Sequence, residues 1–149
     1  MQPIATNRQA RNKYELFDKY EAGIVLKGNE VKSIREARVN LKDSFVRIVR
    51  GEAFLVNCHI SPYSHIQNIH EADPTRMRKL LLKKAEIARL SGQTSRKGHT
   101  LVPLSIYFKQ GLAKVEIAVA RGKQEFDKRE TIRRRIAERE AQRAMKRKK

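Results

Sequence analysis

The clearest pattern along the chain is an alternation of apolar and polar residues between positions 101 and 120. The first half places large apolar side chains at every second position: Val102, Leu104, Ile106 and Phe108. The second half does the same at Val115, Ile117 and Val119. Because successive side chains of a strand point to opposite faces, this period of two indicates two strands, and residues 109–111 between them are typical of a turn. The segment predicts a β-hairpin.

Three further segments have the composition of strands. Residues 44–49 and 53–58 are apolar runs joined through residues 50–52, and they predict a second antiparallel hairpin. Residues 14–26 are rich in Tyr, Leu, Phe, Ile and Val and predict a fifth strand. Gly23 inside this run predicts a bulge or a sharp bend, since glycine weakens the interior of a strand.

Helical signals occur in two places. Residues 30–37 predict a short helix, and a stronger signal begins at Asp73, a candidate N-cap followed by Pro74 at the first helical position. An apolar stripe follows at three- and four-residue steps: Met77, Leu80, Leu81, Ala85, Ile87 and Ala88. Cations lie off this stripe at Arg76, Lys79, Lys83 and Arg89. We expect this helix to end near Gly92, with one face packed and another basic.

Together these elements predict a mainly β fold: a small closed antiparallel barrel similar to the OB fold, with short helices. The 149 residues fit one domain with an appendage. We place the barrel at residues 1–122 and a basic tail at residues 123–149.

The tail differs from the rest of the chain in charge and in apolar content. Residues 121–149 carry 13 basic and 5 acidic side chains, whereas residues 1–120 carry 21 and 11. One narrow stripe holds most of its apolar side chains: Ile132, Ile136, Ala141, Ala144 and Met145. Such a segment buries too little apolar surface to fold alone, and its like charges repel one another. We expect the tail to be disordered when free and to become helical on RNA.

Net charge narrows the class of partner. The chain has a formal charge of +18, so the expected partner is a polyanion. No apolar run approaches the roughly 18 to 20 residues that a membrane span needs, and the N-terminus lacks the apolar segment of a secretory signal. The single cysteine, Cys58, is consistent with a reducing compartment. These features predict a cytosolic nucleic-acid-binding protein without a membrane partner.

An enzyme would need a catalytic or metal-binding group, for which Cys58, His59, His65 and His70 are the candidates. Their spacing matches no zinc pattern, and a cysteine at the end of an apolar strand is more often a small buried side chain. We therefore predict no catalytic residue, no metal and no cofactor.

Aromatic rings interleaved with cations could instead stack on RNA bases: Tyr14, Tyr20, Tyr63, Tyr107 and Phe108. Most of these rings are expected in the core, which favours recognition of RNA by shape and phosphate.

Specific motifs occur in a fixed order along the chain. They are residues 20–26 (Tyr-Glu-Ala-Gly-Ile-Val-Leu), residues 28–33 (Gly-Asn-Glu-Val-Lys-Ser), Asp73-Pro74 with residues 78–82 (Arg-Lys-Leu-Leu-Leu), Gly122-Lys123, and residues 127–129 (Asp-Lys-Arg). Their order and spacing resemble the SsrA-binding protein family, bacterial small protein B. The resemblance extends from the Asn7-Arg8 and Ala10-Arg11 element to the basic terminus.

This resemblance implies an OB-fold barrel that acts in trans-translation, the rescue of bacterial ribosomes stalled on messages without a stop codon. The implied partners are the tRNA-like domain of transfer-messenger RNA and, for the tail, small-subunit RNA at the decoding centre and mRNA channel. Elongation factor Tu is a further partner through the RNA complex.

By the same resemblance, the barrel residues that match family positions at or beneath the RNA surface are Asn7, Glu21, Leu81 and Lys114. Arg8, Arg11 and Lys13 are neighbouring candidates for phosphate contacts. Since a carboxylate repels phosphate, Glu21 should accept hydrogen bonds from base or ribose donors, orient a cation, or form an ion pair of the barrel.

In the tail, the resemblance points to decoding-centre and channel residues: Gly122, Lys123, Phe126, Asp127, Lys128, Arg129, Ala144 and Met145. The chain departs from the family at Phe126, where a polar ring is usual, at Ser91, where an aromatic is usual, and at Ala144, where a larger aliphatic is usual. Stacking that needs a polar ring is therefore in doubt at Phe126.

Two other functions are compatible with parts of the sequence. A structural protein bound permanently to ribosomal RNA would have similar size and charge. A zinc-dependent RNA-processing enzyme would use Cys58 and the histidines.

Overall fold

A computed structural model describes residues 2–63, 73–123 and 136–143. The strands are β1 (Ala5–Thr6), β2 (Tyr14–Ile24), β3 (Val39–Asn40), β4 (Phe45–Val49), β5 (Glu52–Val56), β6 (His59–Ile60), β7 (Arg78–Leu81), β8 (His99–Lys109) and β9 (Leu112–Gly122). The helices between them are α1 (Arg8–Lys13), α2 (Gly28–Arg35) and α3 (Lys84–Thr94). Residues 136–143 are also helical and exposed. The predicted mainly β fold with short helices is confirmed.

The strands form one strongly curved antiparallel sheet. Its order is β1-β8-β4-β5-β7-β2-β9, and β9 pairs in addition with β8, while β3 and β6 pair separately. The long strands β2, β8 and β9 make its most extensive ladders. Between β4 and β8 the ladder consists of one pair, Val46 with Leu101. The closure expected of an OB-like barrel stays a prediction.

Both predicted hairpins are confirmed, and the backbone conformation of the turns explains why the turns are short. Gln110 and Gly111 join β8 to β9 with φ angles of 52° and 77°, and Arg50 and Gly51 join β4 to β5 with 52° and 76°. Two consecutive positive φ angles match the type I′ turn, whose twist fits that of the flanking strands. The glycine in each turn adopts this conformation without a Cβ clash.

The predicted bulge at Gly23 is wrong. Strand β2 is irregular between Leu16 and Lys19, whereas Gly23 keeps its register with Lys114 of β9 and Leu81 of β7. A Cβ built on Gly23 would come within 3.3 Å of the Leu81 Cβ, so a side chain at this position would crowd β7. Glycine here permits the close approach of two strands.

The helix predicted from Asp73 to Gly92 is also wrong in its first half. Residues 78–81 form β7 between β5 and β2, Asp73 caps a turn through Thr75, and α3 begins only at Lys84. Burial in β7 alternates because Arg78 and Leu80 point inward and Lys79 and Leu81 outward. The apolar stripe also fails in α3, where Ala85 and Ala88 are exposed and Leu90 is the buried residue.

The apolar core lies on both sides of the curved sheet. Its main part is inside the curve, where residues of most strands meet Ile34 of α2 and Leu90 of α3. A smaller cluster lies outside, where Ala10 of α1 covers four residues of β8 and β9: Val102, Leu104, Ala118 and Ala120. The outer cluster fixes α1 against the sheet, and this places the α1 cations beside the exposed part of the same surface.

The largest fully buried side chain is a cation, Arg78. Its Nε donates to Glu30 Oε2 at 2.6 Å, Nη1 donates to the Cys58 carbonyl at 2.8 Å, and Nη2 donates to the Pro74 carbonyl at 2.9 Å. A buried charge is costly unless it is paired and hydrogen-bonded, and Arg78 meets both conditions. Its contacts connect β7 to α2 and to the segments beside β6 and β7.

Glu30 is the matching anion, at the first turn of α2. Burial alone would raise the pKa of the Glu30 carboxyl, but hydrogen bonds from Arg76, from the Lys27 backbone N–H and from Arg78 outweigh burial and lower that pKa below its ordinary value. The ionised form of Glu30 is therefore favoured by folding, since its partners bind the anion.

Replacing Arg78 with Met should lower the free energy of unfolding by about 3–5 kcal/mol, because Glu30 loses a buried partner and the Cys58 and Pro74 carbonyls lose their donor. Urea unfolding at neutral pH measures the change. The matched control is Lys79→Met, since Lys79 is half-exposed and lies 3.6 Å from Glu52. This control should lose about 1 kcal/mol or less. Equal losses for the two variants would contradict the role given to Arg78.

Acid should destabilise the protein partly through Glu30. A group whose pKa is lower in the folded protein contributes stability above its unfolded pKa, and this contribution is lost as pH falls through the folded pKa. We expect the free energy of unfolding to fall below about pH 4.3. This fall should be shallower in Glu30→Gln, measured relative to each variant at pH 7. Glu52→Gln is the exposed control and should keep the wild-type slope.

Candidate nucleic-acid interface

One surface of the sheet brings together three of the barrel residues predicted to bind RNA: Glu21, Leu81 and Lys114. In the ladder, Leu81 of β7 lies opposite Gly23 of β2, Gly23 opposite Lys114 of β9, and Lys114 opposite Tyr107 of β8. Directly paired residues point to the same face of a sheet, and so does Glu21, two positions from Gly23. We call this surface the β2–β9–β8 face and define it by Glu21, Leu81, Tyr107, Lys114 and Glu116.

Glu21 is held by two side chains of the hairpin. The Tyr107 hydroxyl donates to Glu21 Oε2 at 2.5 Å, and Lys109 Nζ lies 3.4 Å from Oε1. The hydrogen bond from Tyr107 lowers the pKa of Glu21, with help from Lys109 and Lys114 against partial desolvation. Desolvation and the Glu21 contact raise the pKa of Tyr107, so this hydroxyl keeps its proton. Of the roles considered for Glu21, the barrel ion pair is present, with Lys109.

A second carboxylate faces Glu21 across the ladder. Glu116 of β9 is paired directly with Glu21 and, on its other side, with Ser105 of β8. Arg11 of α1 lines the same depression, together with Pro3, Thr6 and Tyr107. A strongly basic chain thus carries an acceptor-rich pocket with a cation at its rim.

Asn7 is buried at the start of α1. It is 4% exposed and caps α1, where its Oδ1 accepts from the Ala10 backbone N–H at 3.1 Å. Its Nδ2 donates to the Pro103 carbonyl at 2.9 Å. Both polar ends of the side chain are used inside the fold, so Asn7 fixes α1 to β8.

The predicted phosphate contacts of the barrel all belong to α1. Arg8, Arg11 and Lys13 are exposed. Arg11 lines the pocket that contains Glu21. Lys13 lines a second groove, on the other side of α1, together with Asn7 and Gly122. Helix α1 therefore separates two depressions.

The last residue of β9, Gly122, lies at this second groove. Gly122 ends β9 and pairs with Tyr14, and Lys123 beside it is exposed. The other predicted tail residues lie outside the described residues: Phe126, Asp127, Lys128, Arg129, Ala144 and Met145. Disorder of the free tail, and its boundary at residue 123, stay predictions.

The catalytic alternative meets a physical obstacle at Cys58. Burial raises the pKa of the Cys58 thiol to about 11, so the thiol stays protonated and is a poor nucleophile or ligand. His59 is exposed, while His65 and His70 lie outside the described residues. Within residues 2–63, 73–123 and 136–143, no group of three His, Cys, Asp or Glu side chains could hold a metal ion.

The aromatic residues have mixed environments. Tyr20 is buried and donates to Gln93, and Tyr14 packs on the outer core cluster. Phe108 packs against the inner core with the Arg35 guanidinium 5.6 Å from its ring centroid. Tyr107 was a candidate for base stacking, like these rings, but its hydroxyl lies on the β2–β9–β8 face. The alternation of residues 105, 107 and 109 with the core positions was the available signal for this placement.

Among the helices that the structure describes, none is both long and apolar enough to cross a membrane.

Comparison with known proteins gives a consistent result. The family model for SmpB protein matches residues 4–147. An SsrA-binding protein of Caldicellulosiruptor saccharolyticus is 58% identical over 143 residues, covering 96% of this chain and 90% of the relative. One from Halalkalibacterium halodurans is 55% identical over 145 residues, covering 97% and 94%.

A solved structure described as "tmRNA-SmpB: a journey to the center of the bacterial ribosome" contains a similar chain. The two chains are 50% identical and superpose with a TM-score of 0.69 over 82% of this chain and 85% of the other. The family match spans the β2–β9–β8 face, α1 and nearly all of the tail. The chain belongs to the SmpB protein family.

Proposed function

We propose that this protein binds the tRNA-like domain of transfer-messenger RNA and delivers it to stalled ribosomes for trans-translation in the bacterial cytoplasm. Membership of the SmpB family carries the proposal, because the relatives are SsrA-binding proteins and the similar solved chain is described with tmRNA and the ribosome. The role is binding and delivery, and the protein needs no catalytic group for it.

The β2–β9–β8 face and α1 are the proposed RNA-binding surface. Leu81 is 54% exposed and lies across Gly23 from Lys114. Such an apolar side chain can pack against a base or ribose while the cation pairs with phosphate. Arg8, Arg11 and Lys13 add exposed cations along α1. Phosphate contacts of this kind position an RNA, whereas Glu21 supplies an acceptor that phosphate cannot use.

The residues from Gly122 onward are the proposed ribosomal part. Gly122, Lys123, Phe126, Asp127, Lys128 and Arg129 would act at the decoding centre, and Ala144 and Met145 in the mRNA channel. Ribosomal RNA attracts the basic tail only where no message occupies the channel, so the tail can distinguish a stalled ribosome from a translating one. A contact with elongation factor Tu through the RNA complex belongs to the same proposal.

The barrel part predicts a specific effect of Arg11. Arg11→Gln should weaken binding of a transcript of the tRNA-like domain and reduce the slope of log affinity against log salt by about one, because one phosphate contact is lost. The matched control is Arg50→Gln in the β4–β5 turn, at a residue outside the β2–β9–β8 face and α1. This control should leave the slope unchanged. Equal slopes for both variants would contradict the assignment of this surface.

The tail part predicts a separation of binding from tagging. Deleting residues 127–149 should leave binding of the tRNA-like domain nearly intact at about 0.15 M salt, where charges more than a Debye length from the RNA are screened. The same deletion should abolish tagging of peptides on stalled ribosomes in a reconstituted translation reaction. A loss of RNA affinity comparable to that of a barrel variant would contradict this division.

A second tail variant tests whether charge alone is enough. Shuffling residues 127–149 keeps the composition of the tail but breaks the apolar stripe that contains Ile136 and Met145. We expect RNA binding to persist and tagging to be lost. Full tagging by the shuffled chain would make the tail a sequence-indifferent basic arm.

A further inference from the structure

Two carboxylates face each other on the β2–β9–β8 face, and folding alone does not favour that arrangement. Glu21 and Glu116 are directly paired across β2 and β9. Like charges in this position destabilise a sheet. The hairpin compensates at Glu21, where the Tyr107 hydroxyl donates to Oε2 and Lys109 lies near Oε1.

The hydrogen bond from Tyr107 constrains how the carboxylate points. Tyr107 lies on β8 and reaches across β9 to a residue of β2, so the contact connects the two outer strands of this face. The hydrogen bond is 2.5 Å long, whereas the contact with the flexible Lys109 ammonium measures 3.4 Å. Tyr107 is therefore the stronger of the two determinants of the Glu21 orientation.

We propose that Tyr107 is a positioning residue for RNA binding, whose hydroxyl holds the Glu21 carboxylate so that its free lone pairs accept a hydrogen bond from an N–H or O–H donor of the RNA. This inference rests on the proposed function. Tyr107 acts through Glu21 and needs no RNA contact of its own.

The acceptors in the pocket determine which groups of an RNA can bind there. The single hydroxyl proton of Tyr107 is used by Glu21, so the pocket presents acceptors at Glu21 and Glu116. Phosphate oxygens are also acceptors and are repelled there. The matching groups are the exocyclic amino or ring N–H of an unpaired base and the ribose 2′-hydroxyl, with Arg11 at the rim for an adjacent phosphate.

A double-mutant cycle tests the coupling of Tyr107 to Glu21. Tyr107→Phe removes only the hydroxyl, and we expect it to weaken binding of a tRNA-like-domain transcript about tenfold, the size of a hydrogen bond to a charged group. Glu21→Gln should weaken binding at least as much. The double variant should bind no more weakly than Glu21→Gln alone. Additive losses, or wild-type affinity for Tyr107→Phe, would overturn the proposal.

The salt dependence of RNA binding distinguishes a positioning role of Tyr107 from a general loss of charge or structure. Tyr107→Phe should leave the salt slope at the wild-type value, because no charge is removed, whereas Lys114→Met should reduce it. Urea midpoints of the variants confirm that they fold. A changed slope in Tyr107→Phe would show that its effect is a rearranged phosphate surface and would overturn the proposal.

Analogue interference distinguishes the two donor sources. Transcripts carrying analogues without the 2′-hydroxyl, or without an exocyclic amino group, are selected for binding to wild-type protein and to Glu21→Gln. A position that interferes with the wild type but not with the variant identifies a ribose or a base donor. Identical interference patterns would overturn the donor assignment. If wild-type protein fails to bind the transcript at all, the proposed function itself fails, which is a distinct result.

Discussion

The fold depends on how a buried positive charge is accommodated in β7. Arg78 has no exposed surface, and its guanidinium is satisfied by Glu30 and by backbone carbonyls, including that of Cys58. With that cation in place, Leu80 enters the core and Leu81 points to solvent. The face of β7 that carries Leu81 is thus set by an ion pair on the opposite side of the strand. The buried ion pair thus determines which side chains of β7 are exposed.

The arrangement of side chains at the candidate interface also depends on a few local contacts. Gly23 has no side chain, so Leu81 can approach β2 while Lys114 lies on the other side of the same residue. An apolar side chain and a cation thereby lie on the two strands that flank β2, on one face of the sheet. Asn7 adds α1 to this arrangement through its two hydrogen bonds. The backbone geometry at Gly23 and at Asn7 requires these residue types.

A period-two pattern predicted the β8–β9 hairpin correctly, and two apolar runs on either side of a turn predicted the β4–β5 hairpin. The β7 strand escaped prediction because it has only four residues and its first inward side chain is Arg78, which a pattern treats as exposed. The family resemblance assigned Glu21, Leu81 and Lys114 to positions at or beneath the RNA surface, and the strand register places these three residues on one face of the sheet. Tyr107 could not be assigned a role from the sequence, since its partner lies 86 positions away.

The pairing of Gly122 with Tyr14 has a mechanical consequence. It is the last pair of the β2–β9 ladder, so it holds the final residue of β9 against the sheet. Met145 follows 23 positions later, which corresponds to about 35 Å along a continuous helix and to at most about 80 Å of extended chain. Once the sheet is held in place, the length of the chain after Gly122 sets how far Met145 can reach.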